Sequence, residues 1–435
     1  MRILSRELNE KVGEVVAVAG WLHKKRLLGG LNFITLRDRS GLIQMLVEEK
    51  IEVEKLRGLQ IGTVMSVSGT VVADERAPGG AELHDVTITV DVPVTDEPPI
   101  EIDKPISHKS ETLDTLFDYR ALNTRNPAEQ KIFKIRADMV HYLREYLRAA
   151  EFVEIDTPKL LGAATEGGAE VFELDYFGKQ ATLAQSPQFY KQILVGAFER
   201  VFEIGHAYRA EPSATTRHLT ECTMLDVEFG FVEGHGEVLD LIGDMVSSVL
   251  RRTYDEHADN LRSMNVPELK LADEIPRFSV AQIHEMYTKA NKTDTTAEKD
   301  LTPDEERFIA DYARKQLGSD LVFATDFPVE AAKFYHKIDA ENGVVAWADL
   351  LFRGLEIATC PLRENNYEKM IQQMTDAGLD VTGEGYKYYL QAFKYGLPTH
   401  GGCGLGIDRL VMKTLGLANV KEATLFPRDI NRLTP

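Results

Sequence analysis

Residues 201–231 read VFEIGHAYRAEPSATTRHLTECTMLDVEFGF. Two apolar, strand-like runs flank a polar loop, which predicts a β-hairpin. The loop carries Arg209, Glu211, Arg217 and His218. A guanidinium at a strand end suits a phosphate, because it offers two parallel charge-assisted hydrogen bonds. A neighbouring carboxylate accepts from an exocyclic amine such as that of adenine. The second Arg–His pair would hold the distal phosphates. The same charges would also serve a salt-bridged surface hairpin, so the reading depends on what surrounds it.

Two further stretches bear on the same chemistry. Residues 398–416, PTHGGCGLGIDRLVMKTLG, place glycines at 401, 402, 404 and 406 ahead of Asp408-Arg409 and an apolar helix. Glycine permits close backbone approach, and Arg409 falls at a helix start, where anions are favoured. A glycine-rich turn serves equally as a packing device. Residues 152–172, FVEIDTPKLLGAATEGGAEVF, read as a strand, a proline and a polar glycine-containing loop. The chain has neither a GxxxxGK[ST] loop nor a strand-linked GxGxxG, so the usual phosphate cradles are missing.

On the N-terminal side, five short strand-like runs (15–22, 33–38, 42–48, 63–72 and 82–90) are separated by Gly-rich turns. A helix-like KIEVEKLRG (50–58) lies between the third and fourth. That order is the pattern of an OB-fold barrel over 1–97, an oligonucleotide-binding fold. The run TDEPPIEIDKP (95–105) opens a linker or hinge, placed at 98–120. From 121 to 435 strands and helices mix without βαβ alternation, which predicts α+β with a largely antiparallel sheet flanked by helices. Its first helix runs from Pro127 to Ala150, with Ile132, Ile135, Met139, Leu143, Tyr146 and Leu147 at helical spacing. Residues 235–320 are acidic and helical and read as an insertion or peripheral layer.

At 435 residues the chain is too long for one core. The net charge of −19 is unlike that of a nucleic-acid coat. Clustered basic residues can still bind RNA on an acidic chain, so charge does not decide the partner. Cys222, Cys360 and Cys403 form no CxxC knuckle or disulfide framework. The first residues lack a secretory h-region, and no apolar run is long enough for a bilayer. A reducing, cytoplasmic setting is expected.

In chain order, these stretches resemble motifs 1, 2 and 3 of the class II aminoacyl-tRNA synthetases: the long helix and the strand ending at Pro158, the Arg209-Ala210-Glu211 hairpin, and Gly404-Leu405-Gly406-Ile407-Asp408-Arg409. With an N-terminal OB-fold, the resemblance implies the subgroup charging aspartate, asparagine or lysine. TEGGAE (165–170) and QSPQFYKQ (185–192) look like aspartyl-enzyme segments, and TRHLTE (216–221) and LDVEFGF (225–231) look like the archaeal-type branch. The implied activity is ATP-dependent formation of aspartyl-adenylate and its transfer to tRNA(Asp). The rivals are an asparaginyl-tRNA synthetase, an asparagine synthetase-like paralogue, and a non-catalytic tRNA-binding protein.

The resemblance also implies roles. Glu166, Gln188, Lys191, Arg209, Asp226, Thr359 and Arg363 would face L-aspartate, with Lys191 and Arg363 on its side-chain carboxylate and Glu166 and Asp226 on its ammonium. Arg209, Glu211, Arg217, His218, Leu219, Glu356, Gly406, Ile407, Asp408 and Arg409 would hold ATP, with Arg209 and Arg409 catalytic. Glu356 and Thr359 would bind Mg2+. Arg26, Phe33, Gln44 and Glu82 would meet the anticodon, although Phe33 reads equally as a core strand residue. His23 and Pro78 resemble the non-discriminating pattern that also charges tRNA(Asn), and each equally suits an exposed loop. Motif 1 implies a homodimer. One departure stands out. The family pattern Glu-Ile-Ser/Thr-Ser-Gly-Gly-Gln-Arg here reads Glu356-Ile357-Ala358-Thr359-Cys360-Pro361-Leu362-Arg363, losing both glycines and a backbone donor.

Overall fold

The computed structural model describes residues 2–28, 31–104, 111–162, 170–212 and 215–435, and all counts are of these. The chain divides into two compact units, 1–130 and 131–435.

In the first unit, β1 (Val15–Leu27), β2 (Asn32–Arg37), β3 (Leu42–Leu46), β4 (Val64–Ala73) and β5 (Ala81–Val92) close a barrel in the order β1-β2-β3-β5-β4. Helix α1 (Lys50–Leu56) fills the gap between β3 and β4. Period-two alternation sends Val16, Val18, Ile34, Leu36, Ile43, Met45, Met65 and Val67 inward. Strand β1 extends beyond the expected 15–22 because Lys24–Leu27 go on pairing with β2, past a bulge between Leu22 and Lys24 that shifts the register. The bulge buries Leu22 and His23 in succession. Part of the expected linker is ordered as α2 (Leu113–Asp118) and α3 (Arg120–Asn123), where the buried Arg120 meets Glu129 at 2.8 Å.

The second unit is built on one sheet. Helix α4 (Pro127–Ala149) leads to β6 (Val153–Glu154), and β7 (Leu160–Leu161), β8 (Glu173–Tyr176) and β9 (Lys179–Leu183) form a small separate sheet. Then come α5 (Gln188–Phe198), the hairpin β10 (Arg200–Tyr208) and β11 (Glu221–Gly230), α6 (His235–Glu256) and α7 (Ala258–Ser263). Next are β12 (Arg277–Ser279), α8 (Val280–Asn291), α9 (Pro303–Tyr312), β13 (Leu321–Pro328), β14 (Ile338–Asp339), β15 (Val344–Phe352) and β16 (Glu356–Pro361). Helices α10 (Tyr367–Asp376) and α11 (Glu384–Lys394), strand β17 (His400–Gly406) and helix α12 (Ile407–Leu415) complete the unit. The strand order is β12-β13-β15-β16-β17-β11-β10-β6, with β14 also on β15. Only β12–β13 and β6–β10 pair in parallel, so the sheet is largely antiparallel.

Two expectations change. Residues 235–320 do not form a peripheral layer throughout: α6 buries Val238, Leu239, Ile242, Met245, Val246, Val249 and Leu250 in the main core. Its other face is charged enough to dilute that stripe in a linear reading. The glycine-rich 401–406 is not a turn but the central strand β17. A Cβ on Gly402 would lie 1.9 Å from the Val227 carbonyl oxygen, so glycine there allows β17 to seat against β11.

Candidate active site

Strands β11, β16 and β17 form the floor of a cavity of about 350 Å3 in the second unit. The antiparallel register sets Asp226 opposite Gly404, and Gly404 opposite Thr359. Helix α5 adds Gln188 and Lys191, and the β10–β11 loop adds Arg209, Glu211, Arg217, His218 and Leu219. Glu356, Arg363, Gly406, Asp408 and Arg409 line the same cavity. The structure therefore brings together the expected residues, with two exceptions. Ile407 turns its side chain into the apolar core, and Glu166 lies outside the described residues.

At one end of the cavity Lys191, Asp226 and Arg363 line the wall and the buried Glu228 lies behind them, making a quartet of charged side chains. Lys191 Nζ donates to Asp226 Oδ1 at 3.0 Å and to the Cys403 carbonyl at 3.1 Å, and lies 3.5 Å from Glu228. Arg363 donates through Nε and Nη2 to the two oxygens of Glu228, at 2.9 and 3.1 Å. Burial pushes the Glu228 carboxyl up, and Arg363 and Lys191 outweigh it, leaving it below the usual range. Burial alone would lower the Lys191 ammonium, but Asp226 and Glu228 raise it. Counted as formal charges, the two cations and the two carboxylates of the quartet balance.

The other end carries three arginines, each beside an acid. Arg409 Nη1 donates to the Glu356 carboxylate at 3.0 Å and to its carbonyl at 3.1 Å. Arg217 meets Glu306 at 3.0 Å, and Arg209 lies 3.7 Å from Glu211. Asp408 is an anchor: it accepts from Arg136 at 2.9 Å and from the Thr223 amide at 2.7 Å, tying α12 to α4 and β11.

Residues 112–430 match the tRNA synthetases class II (D, K and N), and residues 16–92 match an OB-fold nucleic acid binding domain. The chain belongs to the class II tRNA synthetases. It is 37% identical to the aspartate–tRNA(Asp/Asn) ligase of Thermus thermophilus, over all of both chains. It is 36% identical to the aspartate–tRNA(Asp) ligase of Pyrococcus horikoshii, over 99% of each. Its fold matches the asparaginyl-tRNA synthetase of Pyrococcus horikoshii complexed with asparaginyl-adenylate, with a TM-score of 0.91, 30% identity and full coverage of both chains.

The synthetase's oxygen donors suit a hard cation. Thr359 donates to Glu356 at 3.1 Å, and the Trp347 indole donates to Asp349 at 2.8 Å. Burial and the neighbouring Glu356 push the Asp349 carboxyl well up. A divalent cation would relieve that repulsion. Among the described residues no three His, Cys, Asp or Glu side chains form a metal cage. One or two carboxylates completed by phosphates are what Mg2+ usually takes, so the residues fit a metal that arrives with ATP.

Sequence reading missed several residues that line the synthetase's cavity (Lys333, Tyr335, His336 and Trp347) or are buried behind it (Glu228 and Asp349). Glu228 and Asp349 had a signal, each being an acid within an apolar strand (β11 and β15). Lys333, Tyr335, His336 and Trp347 carried none, because segment 333–347 matches no motif. Pro361 faces the cavity, while Cys360 turns into the core.

In the barrel, Arg26 pairs in register with Phe33, and Gln44 with Glu82. Gln44 donates to Glu82 at 2.7 Å. Phe33 alternates with the inward Ile34 and stands outside the barrel core, so the core reading of Phe33 falls. His23 is buried in β1, not in an exposed loop, and Pro78 is exposed at the β4–β5 turn.

Proposed function

We propose that this synthetase activates L-aspartate with ATP and transfers it to the 3′ end of tRNA(Asp), and of tRNA(Asn) as well. The observation that carries the reading is the convergence of Lys191 and Arg363 with Arg209, Arg217 and Arg409 on one cavity. The first pair suits a dicarboxylic amino acid, and the three arginines suit a triphosphate. The activities named for the full-length relatives support aspartate.

In the first step the α-carboxylate attacks the α-phosphorus in line, and pyrophosphate leaves. Arg209 stabilises charge on the α-phosphoryl group, and Arg217, His218 and Arg409 hold the distal phosphates. Glu211 and the Leu219 and Gly406–Asp408 segments flank the adenosine. Lys191 and Arg363 take the side-chain carboxylate beside Gln188, and Asp226 receives the ammonium with Glu166. Since Asp226 Oδ1 accepts from Lys191 and Ser186, the ammonium falls to Oδ2. Mg2+ held by Glu356, Thr359 and Asp349 would neutralise phosphate charge. In the second step the tRNA 3′-hydroxyl attacks the adenylate carbonyl and AMP leaves. Positioning supplies most of that rate. Arg26, Phe33, Gln44 and Glu82 read the anticodon, and His23 with Pro78 admits both tRNAs.

Amino-acid-dependent pyrophosphate exchange tests the substrate. Stimulation by aspartate is expected; stimulation by asparagine instead would make the protein an asparaginyl enzyme. Charging of separated tRNA(Asp) and tRNA(Asn) tests the rest. His23→Trp should lose tRNA(Asn) charging more than tRNA(Asp) charging, and equal losses would remove His23 from the argument.

A further inference from the structure

Segment 333–337 is held by its backbone. The His336 amide donates to the Lys333 carbonyl at 3.0 Å, Lys337 to Leu362 at 2.9 Å, and Glu364 to Tyr335 at 3.1 Å. Gln373 donates to the Phe334 and His336 carbonyls at 2.7 and 3.0 Å. On this fixed segment the His336 side chain is 2% exposed and lines the wall of the active-site cavity. Its backbone bridges to Arg363, and its ring lies 5.3 Å from that of Trp347.

The imidazole Nδ1 accepts from the Lys333 amide at 3.3 Å. A neutral ring whose Nδ1 accepts carries its proton on Nε2. Burial, with the Arg363 and Lys333 cations, holds the ring well below its usual titration range, so it is neutral. Among the described residues no group accepts from Nε2, and this nitrogen keeps a little accessible surface on a residue that lines the cavity. A donor with so little access to water and no acceptor gains from a ligand that supplies one. This one faces a cavity whose near wall holds Arg363, so the acceptor that fits is an anionic oxygen.

We propose that His336 is a specificity residue of the amino-acid pocket, its Nε2–H donating to the substrate's side-chain carboxylate beside Arg363. The proposal rests on the aspartate reading. A carboxylate offers an acceptor to each of two donors. The side-chain amide of asparagine offers one acceptor and leaves its NH2 against a donor. His336 therefore adds discrimination as well as affinity.

Pyrophosphate exchange with the full chain tests this through two variants. H336F keeps the ring bulk without the donor, and H336Q restores an amide donor. In H336F the KM for aspartate should rise about 10-fold to 100-fold. The KM for ATP should stay within about twofold, and the preference for aspartate over asparagine should narrow. H336Q should recover most of the loss. An unchanged aspartate KM in H336F, or equal rises for ATP and aspartate that glutamine does not rescue, overturns the assignment. Should H336F fail to fold, 15N-imidazole spectra of the wild type decide it: the His336 Nε2–H signal, assigned with H336Q, shifts on saturation with aspartate or the proposal fails. Exchange driven by asparagine alone in the wild type would overturn the aspartate reading, and the carboxylate contact with it. Aspartate-driven exchange with H336F unaffected would overturn the His336 contact alone.

Discussion

The buried quartet Lys191, Asp226, Glu228 and Arg363 shows how single residues set this site. Each cation has an acid beside it, so the quartet itself carries no net formal charge before a ligand enters. Glu228→Ala would leave Arg363 buried without its bidentate partner. The expected cost is about 3–5 kcal/mol, read as a lower urea midpoint, together with a raised KM for aspartate. Glu228→Gln keeps the shape and should lose less stability; equal losses would mean that packing rather than charge holds the pair. The buried histidines give a second prediction. Burial lowers the pKa of His336 and His400 below the ordinary value of about 6.5. His400 shows why: Nδ1 points at the Pro398 carbonyl at 2.8 Å and Nε2 at the Gln192 amide at 2.9 Å, which suits a neutral ring. The unfolded chain therefore binds more protons than the fold once pH drops below 6.5. Stability from these groups is present above that value and is lost as pH falls toward their folded values. The expected slope for His336 is up to about 1.4 kcal/mol per pH unit. Urea titrations from pH 7.5 to 5.5 should show a falling midpoint, with a shallower fall in H336Q.

At the scale of elements, barrel and sheet are assigned different work, and one substitution separates them. Phe33 sits on the outer face of β2, opposite Arg26 on β1 and one strand from Gln44 on β3. Base–aromatic stacking is worth about 1–3 kcal/mol. Phe33→Ala should thus lower kcat/KM for tRNA charging by about 5-fold to 150-fold while leaving aspartate-dependent pyrophosphate exchange unchanged. A matching loss in both assays would place Phe33 in the barrel's stability instead. The same elements show what a linear reading can reach. Helix α4 was legible because Ile132, Ile135, Met139, Leu143 and Leu147 repeat over about four turns with few interruptions. The barrel was legible because its strands alternate and break at glycine turns. Helix α6 was not, since its charged outer face hides the stripe. Nor was β17: glycine usually marks a turn, and only the distance from Gly402 to the Val227 carbonyl reveals why a strand needs it. In the site, residues within motifs were found, Glu228 excepted, and those outside them were not. His336 and Trp347 reach the cavity through pairing of β15 with β16 and of segment 336–337 with 362–363, contacts that leave no local trace.

Across the whole molecule the formal charge of −19 sets two associations against each other. Binding tRNA releases counterions from phosphates and weakens as salt rises. Two copies of the chain repel one another, and added salt screens that repulsion. We propose a homodimer through the motif 1 region. Strand β6 ends the sheet order and pairs on one side with β10 over only two residues, and an edge strand is a template for another chain. Val153 on that strand and the nearby Leu160 are 40% and 49% exposed, and Pro158 between them is exposed. Among apolar residues of the same unit, Phe198 and Phe231 are 50% and 71% exposed. A charge-repelled pair must be held by apolar burial, so the dimer should persist or tighten as salt is raised while tRNA affinity falls. Light scattering after size exclusion should give twice the 48.8 kDa chain mass. Val153→Asp with Leu160→Asp should shift it to the single-chain mass, because two buried carboxylates per protomer cannot be paired across a two-fold axis that presents the same acids. A wild-type protein that stays at the single-chain mass at high salt and high concentration would remove the dimer. It would leave the cavity argument untouched, since every charged group named in the cavity comes from one chain.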